Sequence, residues 1–230
     1  MARVAVILSG AGVFDGSEIY ETVLTLIALE KAGTQVTCLA PDKMFAVVDH
    51  LTHKPTGEER NVLTESARIV RGKVSDLAKA DPNEFDAVIL PGGYGAAKNL
   101  CDYATASSKC EVDAILRKFL IAMNRAAKPI GAICIAPIIL AKALGMNGSP
   151  RLTIGTHPET ANHIEAFGAE HISCPVDDVV IDADQKIVTT PAYMLAQRIG
   201  EAAQGINKLV HDVLKLAQAN SPRRPTPVRF

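Results

Sequence analysis

No stretch of 18 apolar residues occurs in the 230-residue chain, so no segment is expected to cross a bilayer as a helix. Charge of one sign is also lacking: 24 Lys+Arg stand against 25 Asp+Glu, a formal net charge of −1. That balance excludes the broad basic face that nucleic acid or anionic lipid requires, and neither is expected as a partner. There is no C-x-x-C pair. The five cysteines, Cys38, Cys101, Cys110, Cys134 and Cys174, are an odd and scattered set, which argues against a disulfide scaffold and makes a reducing cytoplasm the expected location. H-E-x-x-H is absent, His50 and His53 lie in a polar stretch, and His171 with Cys174 is an isolated H-x-x-C, so no metal site is expected. Met1-Ala2-Arg3 leads straight into Val4–Leu8, an apolar run too short for a signal peptide and better suited to a strand.

What is present suits a packed α/β protein. Apolar residues make up 48% of the chain and charged residues 21%, enough to bury a sizeable core. Short β-branched runs alternate with longer helical ones, which argues for a mostly parallel sheet with helices on both faces. Strands are expected at Val4–Leu8, Gln35–Leu39, Ala87–Leu90 and Pro129–Ile133, with a short extended piece at Leu152–Gly155. Val179–Ala183 and Lys186–Thr189 read as a hairpin at a sheet edge. Helical spacing marks Ile19–Lys31, Val112–Ala126, Ile135–Leu144 (ended by Gly145), Pro158–Phe167 and a long Ala192–Ala219. Between them, His50–Arg60 reads as a polar loop or hairpin tip, and Asn61–Arg71 as a short helix. No repeat or linker divides the chain, so one domain is expected over residues 1–220. Ser221–Phe230, with three prolines and three arginines, is expected to be a disordered tail.

The segment richest in chemistry is Pro129-Ile130-Gly131-Ala132-Ile133-Cys134-Ile135-Ala136-Pro137. A buried strand runs directly into a helix with one cysteine at the junction, the layout of a nucleophile elbow. The helix N-terminus is expected to draw the Cys134 thiol toward thiolate; a merely buried apolar cysteine is the bland alternative. Leu90-Pro91-Gly92-Gly93 ends another strand with amides unshielded by side chains. The N–H groups of Gly93 and Ile135 can then hold an oxyanion beside Cys134, with Gly92 next to them. Neighbouring parallel strands end on one side of the sheet, where sites of doubly wound folds lie. Glu18 and Glu21 open the helix after the first strand. Glu18 is a candidate for substrate binding, although a helix-dipole role alone would explain it, whereas for Glu21 proton handling competes evenly with that role. Thr156-His157-Pro158 places a histidine after a further strand, where it can act as base or orienter.

Together, Glu21-Thr22-Val23, Leu90-Pro91-Gly92-Gly93, Ala132-Ile133-Cys134 with Pro137, and Thr156-His157-Pro158 resemble the superfamily of the PfpI proteases and the parkinsonism-associated deglycase. Phe14-Asp15-Gly16-Ser17-Glu18-Ile19, Pro91–Leu100, Cys134–Pro137 and Thr189–Met194 look like its ElbB-like, amidotransferase-related branch, associated with isoprenoid biosynthesis. The resemblance implies a flavodoxin-like three-layer sandwich of the class I glutamine amidotransferase type, often homodimeric. It implies cofactor-independent glyoxalase activity on a small aldehyde, glyoxal or methylglyoxal, with related deglycase activity. By position it makes Cys134 the nucleophile, Glu21 its carboxyl partner, Gly93 an oxyanion donor and His157 the nearby histidine. Ile135 stands where protease members carry histidine, which argues against peptidase activity.

Three other readings compete. His157-Pro158-Glu159 has the H-x-E form of a glutaminase triad, but only 23 residues separate His157 from Cys134 (157 − 134). Gly10-x-Gly12-x-x-x-Gly16 misses the dinucleotide fingerprint by one residue, and Glu18 and Glu21 would repel a pyrophosphate. The main rival is an amidotransferase-like regulatory or redox-sensing protein in which Cys134 is oxidised rather than turning over.

Overall fold

The computed structural model describes residues 1–220; the tail expectation for 221–230 lies outside the described residues. In chain order the elements are β1 (Arg3–Ile7), α1 (Ile19–Lys31), β2 (Gln35–Ala40), β3 (Met44–Val48), β4 (Pro55–Asn61), α2 (Val62–Ile69), β5 (Val74–Asp76) and β6 (Ala87–Leu90). They continue with α3 (Tyr94–Asn99), α4 (Tyr103–Ala106), α5 (Ala114–Arg125), β7 (Ile130–Ile133), α6 (Pro137–Gly148), β8 (Arg151–Leu152), α7 (Pro158–Ala166), β9 (Glu170–His171), β10 (Val180–Asp182), β11 (Ile187–Thr190) and α8 (Ile199–Asn220).

Seven strands form one sheet in the order β10-β11-β7-β6-β1-β2-β5. All neighbours pair in parallel except β10, which runs antiparallel to β11 at the edge, as the hairpin pattern predicts. Side chains alternate between two cores because successive strand residues point to opposite faces. Val4, Val6 and Leu8 meet Leu209 and Val213 of α8 on one face; Ala5 and Ile7 lie in the core that contains Leu116 and Leu120 of α5 and Ile139 of α6 on the other. With helices on both faces, this is the flavodoxin-like α/β fold.

Four local expectations are corrected. Residues Pro55–Asn61 form strand β4, paired antiparallel with β3, and the hairpin tip is 49–54. Most of β4 is exposed, so ladder hydrogen bonds rather than apolar burial hold it, and no hydrophobic period marks it. The helix over 135–144 starts later, at Pro137, and runs past Gly145 to Gly148. Gly145 is a packing contact rather than a stop, since a Cβ there would collide with the Phe167 carbonyl. The last helix begins at Ile199, not Ala192: Ala192 has φ +41°, a left-handed conformation that interrupts a right-handed helix. Finally, the extended piece near 152 is only two residues long and pairs with β9 outside the main sheet.

Candidate active site

Strands β1, β6 and β7 are adjacent, and their carboxyl ends bring three loops together. The loop after β1 folds back on itself: the Ser9 and Gly12 N–H groups donate to the Ser17 hydroxyl and carbonyl at 2.8 and 2.9 Å. Helix α3 fastens it, as Asn99 Nδ2 donates to the carbonyls of both Ser9 and Asp15 at 2.8 Å. This clamp fixes where α1 starts and therefore where its two glutamates stand. Glu18 caps α1, its Oε2 accepting the Glu21 N–H at 2.6 Å. The dinucleotide reading fails here, because the side chain already occupies the amide a pyrophosphate would use.

At the end of β7 the chain turns sharply. Cys134 has φ +62°, a left-handed conformation costly for any residue with a Cβ and the mark of a nucleophile elbow. Its N–H donates to the Thr190 carbonyl of neighbouring β11 at 3.0 Å, which anchors the strained residue to the sheet. The side chain is buried at 8% exposure, and the Gly93 and Ile135 N–H groups lie close enough to its sulfur to favour the thiolate. The two amides expected as oxyanion donors are thus aimed at the reacting atom.

Glu21 faces the same sulfur and is fully buried. Its Oε2 accepts the Gly92 N–H at 2.9 Å and its Oε1 the Tyr193 N–H at 3.2 Å. Burial, reinforced by the nearby Glu18 charge, pushes the Glu21 carboxyl up to about 8, so it carries a proton at neutral pH. Glu18 is also raised by burial. Gly92 has no room for a side chain: a Cβ would collide with Cys134 Cβ and Glu21 Oε2. Gly93, at φ +92°, turns its N–H to the sulfur in a conformation that glycine adopts freely.

The expectation that the helix N-terminus makes Cys134 acidic is corrected. Burial and the adjoining Glu21 charge push the thiol up, and the two amides offset only part of that. The Glu21 contribution applies only while that carboxyl is ionised. Once Glu21 holds the proton, a carboxyl O–H and two amide N–H groups all favour negative charge on sulfur. Cys134 and Glu21 therefore titrate as a pair, and the sulfur is not an independent thiolate.

Cys134 opens onto a cavity of about 340 Å³, whose wall also includes Glu18, Gly93, Ile135, Tyr103 and His157. His157 lies at the rim, exposed, and serves as the N-cap of α7, with Nδ1 bound to Thr160. The structure brings it to the cavity but not into the sulfur's hydrogen bonds. Sequence reasoning missed the Tyr193 amide as a support of Glu21; the turn at Ala192 is its only local signal, and that turn reads as helix from composition. Among the described residues no group of three or more His, Cys, Asp or Glu could hold a metal ion.

A model of the DJ-1/PfpI family matches residues 3–195. Glutamine amidotransferase-like class 1 domain-containing protein 3, mitochondrial, from Homo sapiens is 42% identical over 226 residues, 94% of this chain and 83% of that protein. The mitochondrial ES1 protein homolog of Rattus norvegicus is 40% identical, over 94% of this chain and 84% of its own length. A crystal structure of an isoprenoid biosynthesis protein with an amidotransferase-like domain from Ehrlichia chaffeensis superposes with a TM-score of 0.88 at 34% identity, covering 94% of this chain and 99% of that one. The two mitochondrial relatives overturn the expected cytoplasmic location. Free thiols report reducing surroundings, and that property does not single out the cytoplasm.

Proposed function

The chain belongs to the DJ-1/PfpI family, and on that premise we propose that it is a cofactor-independent glyoxalase of the ElbB-like branch, converting a 2-oxoaldehyde to the 2-hydroxy acid. The branch assignment draws support from the Ehrlichia protein, whose description joins isoprenoid biosynthesis to an amidotransferase-like domain. One observation carries the activity: a strained cysteine whose sulfur meets a protonated carboxyl and two peptide N–H groups at the floor of a cavity.

Once the pair has released one proton to solvent and the remaining one rests on Glu21, the Cys134 thiolate adds to the aldehyde carbon, forming the C–S bond, while the carbonyl π electrons move to oxygen. The Gly93 and Ile135 N–H groups stabilise that oxygen and Glu21 supplies its proton. Glu21, now ionised, removes the C–H proton of the hemithioacetal to give an enediolate and returns that proton to the adjacent carbon, while the hydroxyl proton moves to the neighbouring oxygen. The product is a thioester of the 2-hydroxy acid. Water cleaves the C–S bond, releasing the acid and restoring the thiol; the net change is addition of one water, with no external oxidant or reductant. A homodimer belongs to the same proposal, supported by Ile19, Tyr20, Val23 and Ile27, which stand 38–52% exposed on α1.

The rival readings have less support. A fast redox sensor needs an exposed, low-pKa thiol, whereas Cys134 is buried and raised. A glutaminase needs His157 oriented by a carboxylate, whereas its Nδ1 is engaged by Thr160. Chelator-treated protein given methylglyoxal without added thiol should form lactate; consumption of the aldehyde with no lactate would contradict the proposal.

A further inference from the structure

The cavity says more about the substrate than the reaction does. Its volume, about 340 Å³, falls within the ~300–1,000 Å³ of pockets that enclose sizeable organic ligands, so a two-carbon dialdehyde would occupy only a corner of it. Val13, Ala97, Ile135 and Met194 supply apolar wall, and Tyr94 and Tyr103 add aromatic surface. Among the described residues no Lys or Arg lines it. A lysine near the wall, Lys98, is drawn off: its Nζ donates to the Phe14 carbonyl at 2.8 Å and lies over the Tyr94 ring at 5.7 Å from the centroid. The carboxyl that does face the cavity is Glu18, so an anionic substrate would meet a carboxyl there with no Lys or Arg among the described residues to offset it.

We infer that the preferred substrates are uncharged 2-oxoaldehydes with an apolar substituent about the size of an aromatic ring, and that carboxylate-bearing aldehydes are rejected. The inference rests on the glyoxalase reading and adds the part of the substrate that does not react. An apolar group seated against the wall contributes binding at the transition state, and each added methylene in such a pocket is worth roughly tenfold or more in kcat/KM. The hydroxy acid formed carries a carboxylate that the same wall disfavours, which assists its release.

Initial rates of hydroxy-acid formation from phenylglyoxal, glyoxal and 4-carboxyphenylglyoxal, a 2-oxoaldehyde that carries a carboxylate, test this on the full chain. Phenylglyoxal should exceed glyoxal in kcat/KM by about tenfold or more, and 4-carboxyphenylglyoxal should remain at background. Ala104, an exposed residue of the wall, offers a variant that leaves the core intact. Ala104→Trp should lower kcat/KM for phenylglyoxal about tenfold more than that for glyoxal, because it takes up the space of the ring. Glyoxal matching or exceeding phenylglyoxal, or ready turnover of 4-carboxyphenylglyoxal, would overturn the inference and leave the glyoxalase reading standing. Failure to convert any of the three aldehydes would overturn both.

Discussion

Glu21 concentrates the chemistry of the site in one side chain. Its carboxyl stands at about 8 when folded, against an ordinary 4.5. Between those values the folded state binds a proton that the unfolded chain has released. The stabilisation is therefore fully present below pH 4.5 and is lost as pH rises through about 8. Glu21→Gln, which keeps the shape and cannot ionise, should flatten the fall of the urea midpoint between pH 5 and 8.5, leaving the contributions of Glu18, His171 and the buried cysteines. An unchanged slope would show that Glu21 is already ionised at the low end. The same variant should lose on the order of 10²–10⁴-fold in kcat, the usual weight of a positioned proton carrier. Gly92→Ala is a steric counterpart: its Cβ would press on both Cys134 and Glu21, so a destabilisation of about 1–3 kcal/mol and loss of turnover are expected in thermal melts and rates. At this scale the sequence was partly legible. A lone cysteine between a buried strand and a helix announces an elbow, and paired glycines announce bare amides. The direction of the Cys134 shift was not legible, because it depends on desolvation and on a carboxyl 113 residues away (134 − 21), which no local pattern reports.

Among the elements, α7 separates a structural histidine from a chemical one. His157 caps it by accepting the Thr160 N–H at 3.3 Å, a role that asparagine can fill. His157→Asn should retain both stability and turnover, whereas His157→Ala should cost about 1 kcal/mol in chemical unfolding with kcat little changed. A large loss of kcat in the asparagine variant would instead give the imidazole a role in the reaction. Elements with a strong apolar period were readable: α1, α5 and the four central strands lie close to their expected bounds. Those held by other forces were not. Strand β5 is a three-residue edge, and α3 is a six-residue helix that the reading left unassigned after Pro91-Gly92-Gly93. The break before α8 exists because Tyr193 presents its N–H to Glu21, a tertiary demand that overrides local helix propensity.

For the molecule as a whole, alternation of buried strands with helices identified the α/β layers, since a strand covered on both faces has no polar side to show. The order of strands in the sheet was beyond that reading, yet it is what sets β1, β6 and β7 side by side and so assembles the site. The exposed apolar face of α1 gives the proposed homodimer its test. Sedimentation should show twice the 24.4 kDa chain mass, and Val23→Glu with Ile27→Glu should shift it to the monomer. A parent protein sedimenting as a monomer would remove the dimer without touching the chemistry. The chemistry itself stands or falls on the sulfur at the end of β7. The most direct measurement is the rate of lactate formation from methylglyoxal by the parent and by Cys134→Ala, with both confirmed folded by circular dichroism. Steady turnover by the parent and only the uncatalysed background with the alanine variant are expected; equal rates in the two would contradict Cys134 as the nucleophile.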